Sequence, residues 1–259
     1  MYTFGLNGGL PPRRVTFGGN SSTPVWTPDG KRVTFASDRS PGAGIYWQPA
    51  DGTGAAERLI PEEPGQSIRP EAWTFDGKTL AFIKGAGGGG DIWTLTPGSW
   101  TPAKLVEFPG NQRYTEFSRD ARWFAYATSE AGNNFDIFVQ PYPPTGSKSQ
   151  ITSKSARTPL WSKDGKELYY IEPENANGRI VIADVTTTPS FSVGKSVTIA
   201  VPGAEFTGEG RQYDVTPDGK QFVVLLSSAD GKGPAKPAPS QINIVLNWIE
   251  ELKQKVPVK

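Results

Sequence analysis

Five segments of the chain repeat one pattern of hydrophobic and polar positions, and the copies read WTPDGKRVTFAS, WTFDGKTLAFIK, FSRDARWFAYAT, WSKDGKELYYIE and VTPDGKQFVVLL. Each copy begins with an apolar residue, continues through a polar stretch centred on Asp, and ends in a run that alternates or is wholly apolar. Runs of this length and pattern are typical of half-buried and buried strands. The pattern therefore predicts a tight turn followed by a strand in each copy, with strands at 32–37, 79–83, 123–128, 167–171 and 221–226.

The first residue of each copy serves as an anchor for measuring the repeat. The anchors are separated by 47, 44, 44 and 54 residues. A period near 45 residues that contains several short strands is typical of a propeller. The five anchors are Trp26, Trp73, Phe117, Trp161 and Val215.

Each copy is followed by a Gly-containing loop, a third strand-like run and, in most copies, a fourth and more polar run. Four antiparallel strands form one propeller blade, and neighbouring blades bury each other's faces. We therefore expect an all-β propeller of five blades, occupying residues 1–259 as a single domain. Residues 14–17 are expected to complete the last blade and close the ring; the alternative is a sixth, incomplete blade. Residues 248–255 are predicted to form a short helix capped by Asn247.

The Asp residue of each repeat is interpreted as a turn residue. Pro presets φ, Asp accepts local backbone hydrogen bonds and Gly supplies a positive φ, so turn chemistry alone accounts for the motif. The five carboxylates concerned, which are therefore not candidates for catalysis, are Asp29, Asp76, Asp120, Asp164 and Asp218.

Composition excludes several kinds of site. The sequence has no histidine and no cysteine, which excludes Ser-His-Asp catalysis, disulfides and ordinary zinc or copper sites. A net charge of +1 does not favour nucleic acid as a partner. No apolar run reaches the roughly 20 residues of a membrane span. The first residues lack the pattern of a signal peptide, so we expect none in this sequence.

The motif WTPDGK, with VTPDGK near the end, resembles the signature of the TolB-type, WD-repeat-like propeller family of bacteria. The ending YDVTPDGKQFVVLL…QINIVLNWIEELKQKVP is similar to the C-terminus of long bacterial proteins that join a Ser/Thr-kinase-like domain to such propellers. The resemblance implies a periplasmic or extracellular sensor or interaction module. It says little about chemistry, because propellers host unrelated functions.

The sharpest candidate site is a repeated arginine. Four positions before the successive anchors lie Ser22, Arg69, Arg113, Arg157 and Arg211. Since the first strand of each blade lines the central channel of a propeller, these side chains are expected to form a ring near one mouth. Crowded like charges need anions to balance them. Either internal carboxylates supply that balance, or the ring binds a carboxylate, a phosphate or an acidic sugar.

The internal carboxylates on the same strands are Glu71, Glu116 and Asp214. They also permit a different function, because two carboxylates are sufficient for glycoside hydrolysis without histidine. Nearby arginines are expected to lower the pKa of these carboxyls, which suits a base better than an acid.

The sequence implies no cofactor. A calcium site from loop oxygens such as Asp38, Asp91 and Asp136 is a weaker alternative, because no spaced ligand loop occurs. Three hypotheses for the function therefore remain. The first is a non-catalytic module that binds a protein, a peptide or an anionic or saccharide ligand at the arginine-lined mouth. The second is a glycoside-acting enzyme, and the third is a piece of a longer protein without a ligand of its own.

Overall fold

The regular structure consists entirely of β-strands in the residues that the computed structural model describes, which are 1–3, 5, 11–87, 89–130, 134–174, 177–204, 206, 210–216, 218–225 and 242–244. Two short strands at the N-terminus, β1 (Tyr2–Thr3) and β2 (Arg13–Arg14), pair with each other. The later strands form five antiparallel sheets, called sheets I to V, in which each strand pairs with the next along the chain.

Sheets I to IV have four strands each, and sheet V has three in the described residues. Sheet I comprises β3 (Ser21–Trp26), β4 (Arg32–Ser37), β5 (Gly44–Pro49) and β6 (Glu57–Pro61). Sheet II comprises β7 (Ser67–Trp73), β8 (Leu80–Gly85), β9 (Asp91–Leu95) and β10 (Pro102–Val106). Sheet III comprises β11 (Gln112–Phe117), β12 (Trp123–Thr128), β13 (Asp136–Pro141) and β14 (Ser149–Gln150). Sheet IV comprises β15 (Arg157–Trp161), β16 (Glu167–Glu174), β17 (Asn177–Thr186) and β18 (Ser192–Ala200), and sheet V comprises β19 (Tyr213–Val215), β20 (Phe222–Leu225) and β21 (Ile242–Ile244).

This arrangement confirms the predicted propeller with five blade-like sheets. The predicted helix at about 248–255, with its cap Asn247, lies outside the described residues. Within the described residues, the expected completion of the last blade by residues 14–17 is not seen, because Arg13–Arg14 pairs with Tyr2–Thr3 and not with sheet V. The N-terminal residues pack instead against sheet I, where Met1 contacts the cluster formed by Val33, Phe35 and Tyr46.

The hydrophobic core is divided into layers between successive sheets. Ile45 of sheet I packs with Leu80 and Phe82 of sheet II, and similar clusters join sheets II and III, III and IV, and IV and V. Because both faces of a middle sheet are apolar, each needs a neighbour on both sides. The continuous apolar runs of the second strands in the sequence follow from this requirement.

Two of the aromatic anchors donate hydrogen bonds to the sheet that precedes their own. The Trp73 indole N–H donates to Thr34 Oγ1 of sheet I over 3.0 Å, and the Trp161 indole N–H donates to the Glu116 carbonyl of sheet III over 3.3 Å. Both rings are buried, whereas Trp26 in the equivalent position of sheet I is 51% exposed. In the described part of the chain, sheet I has no four-stranded sheet before it, and the short N-terminal strands that pack against it leave Trp26 half exposed.

The turn between the first and second strands has the same hydrogen bonds in all five sheets. Its Asp carboxylate accepts from a Ser or Thr hydroxyl two residues earlier and from the backbone N–H two residues later. The interpretation of these carboxylates as turn residues is therefore confirmed. The residue after the Asp adopts a positive φ, which is 70° at Gly77 but 52° at Ala121, where sheet III has no glycine.

This exception predicts a stability change. Ala121→Gly is expected to raise the free energy of unfolding by about 0.5–1 kcal/mol, because a Cβ is disfavoured in the left-handed region. The matched reverse substitution, Gly77→Ala, is expected to lower it by a similar amount, since an added Cβ there meets no atom within 4 Å and only the backbone is strained. Urea unfolding of both variants measures the two changes, and equal signs would contradict the explanation.

Candidate functional site

The first strands of all five sheets enclose a cavity of about 1050 Å³. These strands are β3, β7, β11, β15 and β19, which all begin blades, so the cavity runs along the axis of the propeller and is called the channel below. Its wall combines apolar anchor residues with arginines and carboxylates that are far apart in the sequence.

Most of the predicted ring lies on the channel wall. Arg69, Arg113 and Arg211, called the arginine collar, line the channel together with Ser22. Arg157 is not among the residues that line this cavity. Its strand has the same register shift as that of Arg113, and its place in a ring of four arginines stays a prediction. Arg157 is partly buried on β15, opposite Ile171 of β16.

A bulge in the first strand explains how residues of both strand faces reach the channel. Arg113 and Glu116 are three residues apart, and a regular strand would place them on opposite faces. The pairing of β11 with β12 shifts between these two residues, and Tyr114 has a φ of 59°. Because the bulge inserts an extra residue, both side chains line the channel.

The same irregularity recurs in other sheets. The register shifts between Ser22 and Val25 in sheet I and between Arg157 and Leu160 in sheet IV. Thr23 and Thr158 have φ values of 48° and 53°, at the same position relative to their anchors as Tyr114. Such a conformation costs a non-glycine residue about 1–2 kcal/mol, so this strained position is a shared feature of the channel wall.

Carboxylates join the sheets across the channel. The Glu71 carboxylate of sheet II accepts a hydrogen bond from the backbone N–H of Thr115 in sheet III. The Arg211 guanidinium of sheet V forms an ion pair with the Glu116 carboxylate of sheet III. The third carboxylate, Asp214 of sheet V, accepts a hydrogen bond within its own sheet, from the backbone N–H of its neighbour Val215 over 2.8 Å. The internal neutralisation considered from the sequence is thus present for Arg211.

Burial has the largest effect on the pKa of two of these carboxyls. It raises the pKa of Glu71 from 4.5 to about 7, although the Thr115 hydrogen bonds and the charges of Arg211 and Arg113 act in the opposite direction. Burial also raises the pKa of Glu116 against the influence of Arg211. The arginines act to lower both pKa values, as expected from the sequence, but the net shift is upward because desolvation of the carboxylate exceeds their attraction.

The loop carboxylates considered as calcium ligands have protein partners. Asp38 accepts from Asn20, Asp91 pairs with Lys104 and Asp136 accepts from Thr152. Within the described ranges, no group of three or more acidic side chains is arranged to hold a metal ion. That part of the chain also has no helix capable of crossing a membrane.

Sequence reasoning missed several channel residues at the opposite end. Trp26 and Phe75 line the channel and are 51% and 48% exposed, and Arg119 and Lys163 lie on the same wall. Phe75, Arg119 and Lys163 each stand two positions after an anchor. This shared position is the one feature of the sequence that could have identified them as channel residues. Two other aromatic residues, Trp100 and Tyr142, pack against neighbouring aromatic rings.

Solved structures of other proteins share this architecture. TolB from Acinetobacter baumannii matches with a TM-score of 0.67 and 20% identity, over 85% of this chain and 52% of that chain. The chain has a TolB-like β-propeller fold. A structure assigned as TolB from Agrobacterium tumefaciens matches with a TM-score of 0.62 and 19% identity, over 78% of this chain and 76% of that chain. This chain thus spans about half the length of the Acinetobacter TolB.

An enzyme shares the TolB-like fold. The periplasmic gluconolactonase of Pseudomonas aeruginosa matches with a TM-score of 0.54 and 18% identity, over 87% of this chain and 69% of that chain. No family model matches this sequence, and no curated protein matches it. The TolB-like fold therefore does not by itself fix the function.

The pKa of Glu71 predicts how stability depends on pH. Because the folded protein holds this proton up to a pH of about 7 and the unfolded chain releases it near 4.5, stability falls as the pH rises between these values and stays low above them. Glu71→Gln keeps a neutral group in place, so we expect it to remove up to about 3 kcal/mol of this loss.

The measurement is urea unfolding of wild type and Glu71→Gln at a series of pH values between 4 and 8. Glu63→Gln serves as the control, because that carboxylate is exposed and pairs only with Lys84; it should keep the slope of the wild type. A Glu71→Gln variant with the same pH dependence as wild type would contradict the assignment.

Proposed function

We propose that this propeller is a non-catalytic binding module whose arginine collar holds an anionic ligand. The observation that carries the proposal is the convergence of Arg69, Arg113 and Arg211, from three different sheets, on one channel wall. Guanidinium groups suit carboxylates and phosphates because their fork of N–H donors matches two oxygens.

The charge balance of the channel supports an anionic ligand. The collar contributes three positive charges, and Glu116 pairs with the Arg211 member. Glu71 is about half protonated at neutral pH, since its pKa is raised to about 7. At neutral pH the protonated fraction of Glu71 adds no negative charge, so this carboxyl repels an anionic ligand less than a carboxylate would. A ligand carboxylate, phosphate or acidic sugar, either free or on a partner protein, would accept hydrogen bonds from the guanidinium groups of the collar.

The cavity has dimensions suited to a ligand. Its volume of about 1050 Å³ is at the upper end of the roughly 300–1,000 Å³ that small-molecule sites occupy. The wall also offers hydroxyls and apolar surface, from Ser22 and from the anchor side chains. A saccharide or peptide segment that carries an anionic group fits this combination.

A glycoside-acting enzyme is the second candidate, and the pKa of Glu71 is the observation that favours it. A carboxyl with a pKa of about 7 is suited to act as a general acid, while Glu116 or Asp214 on the same channel wall would supply the second carboxylate. Against this candidate, the Glu116 carboxylate is engaged by Arg211, so a catalytic role would require that pair to open.

The binding proposal predicts that Arg69→Gln combined with Arg113→Gln weakens anion binding at least tenfold, because each substitution removes a charge-assisted hydrogen-bond donor. Calorimetry with phosphate, citrate and tetragalacturonate as probes measures the change. Arg122→Gln is the control, since Arg122 does not line the cavity and pairs with Asp120 of its own turn, and it should bind as wild type does. Failure of all three probes, or equal binding by the double variant, would overturn the proposal.

The two candidate functions differ in their products. The binding proposal expects no release of reducing ends from neutral or acidic polysaccharides by the wild type. If hydrolysis is observed and is abolished in both Glu71→Gln and Glu116→Gln, the enzyme is the better candidate. If hydrolysis survives in both variants at the rate of the wild type, neither carboxylate is part of the chemistry.

A further inference from the structure

The end of the channel opposite the arginine collar has a separate chemistry. Phe75 and Arg119 stand six residues after the collar residues Arg69 and Arg113, in the turns that follow their strands. The strands continue for four residues past Arg69 and Arg113, at most about 13 Å, so the two groups of side chains lie at different ends of the channel. The end near the Asp turns is called the turn end, and its key residues are Phe75, Arg119 and Lys163.

An exposed aromatic ring lies at the turn end. The Phe75 side chain is 48% exposed, and the Arg119 guanidinium lies 3.8 Å from the centre of its ring. This stack leaves the opposite face of the planar guanidinium for a second ring, and cation–π contacts are strongest where water is excluded.

Beside the ring lies a smaller cavity of about 340 Å³. Leu160 and Trp161 form its apolar base and are 6% and 7% exposed, whereas Phe75 forms its open edge. The volume is at the lower limit of small-molecule pockets, and it suits a single large side chain of a partner rather than a broad interface.

The cations at the rim of this cavity differ from the other cations at the turn end. Lys78 and Arg122 form ion pairs with the Asp residues of their own turns, over 3.0 and 2.6 Å. Arg119 and Lys163 also line the cavity, yet within the described ranges neither forms an ion pair. Their charge is therefore available to a partner.

One carboxylate also faces the cavity. Asp214 lines it, but its charge interacts with Arg211, which lies three residues earlier in the sequence and whose pKa the carboxylate helps to raise. Asp214 thus repels an incoming carboxylate less than an isolated anion would, and it offers an acceptor for an N–H or O–H group.

We propose that the turn end is a docking site for an acidic segment of a partner protein, which inserts an aromatic side chain beside Phe75. The inserted ring covers Leu160 and Trp161 and stacks on the free face of Arg119. Acidic residues flanking that ring pair with Arg119 and Lys163. This site is independent of the anionic ligand proposed for the arginine collar.

The test uses the full chain and a fluorescein-labelled peptide, Asp-Glu-Phe-Glu-Asp, with binding measured by fluorescence polarisation. We expect at least tenfold weaker binding by Arg119→Gln combined with Lys163→Gln, and severalfold weaker binding by Phe75→Ala, whose side chain is half exposed in the wild type. The isosteric peptide Asn-Gln-Phe-Gln-Asn and the peptide Asp-Glu-Ala-Glu-Asp should both bind more weakly than the parent.

Two control variants separate this site from its surroundings. Lys78→Gln removes a cation at the same end that is already paired with Asp76, and it should bind the peptide as wild type does. Arg69→Gln combined with Arg113→Gln should also leave peptide binding unchanged, so the collar and the turn end can fail separately. Circular dichroism and thermal unfolding verify that each variant is folded.

Several results would overturn the proposal. These are the absence of peptide binding at about 1 mM, equal binding of the alanine peptide, and an unaltered affinity in Phe75→Ala. Equal loss in Lys78→Gln would also overturn it, because the attraction would then be a general effect of positive charge.

Discussion

The structure depends on the burial of apolar sheet faces against neighbouring sheets. A blade of four strands has too little interior of its own, so Phe82 of sheet II is buried against sheet I and Tyr126 of sheet III is buried against sheet II. Stacking around an axis satisfies this requirement for every middle sheet. The channel follows from the same packing, since each sheet presents its first strand to the axis. The polar residues of the channel wall are therefore brought together by the packing of apolar residues elsewhere in the sheets.

The repeat made the fold predictable in advance. The spacing of the anchors and the alternation of the second strands predict the blades, and β4 and β12 begin and end where the pattern places them. The turns were equally predictable, because their hydrogen bonds depend only on residues close in sequence. The pairing of the N-terminal strand was not, since a strand such as Arg13–Arg14 has no side-chain pattern that selects one edge over another.

The candidate site was predictable only in outline. Counting back from the anchors identified the collar, because register along a strand is a local property. It does not show how far each arginine reaches into the channel, which depends on how the sheets are placed against each other. The same limit applies to Glu71, whose proton affinity is set by burial rather than by the arginines visible in the sequence. Phe75, Arg119 and Lys163 were missed because their shared position carries different residue types in different repeats.

The two ends of the channel are chemically distinct although the same strands build them. At the collar end, Glu116 engages Arg211, and a ligand that approaches Arg211 has to compete with a carboxylate already in place. At the turn end, each Asp is held by its own turn, as Asp76 is by Thr74 and the Lys78 N–H, and these carboxylates are not placed to neutralise cations nearer the axis. Internal compensation is therefore concentrated at the collar, and the ligand proposed there would have to tolerate nearby carboxylates. At the turn end, Arg119 and Lys163 lie next to exposed aromatic surface, so the partner proposed there would need an apolar group and an anion together.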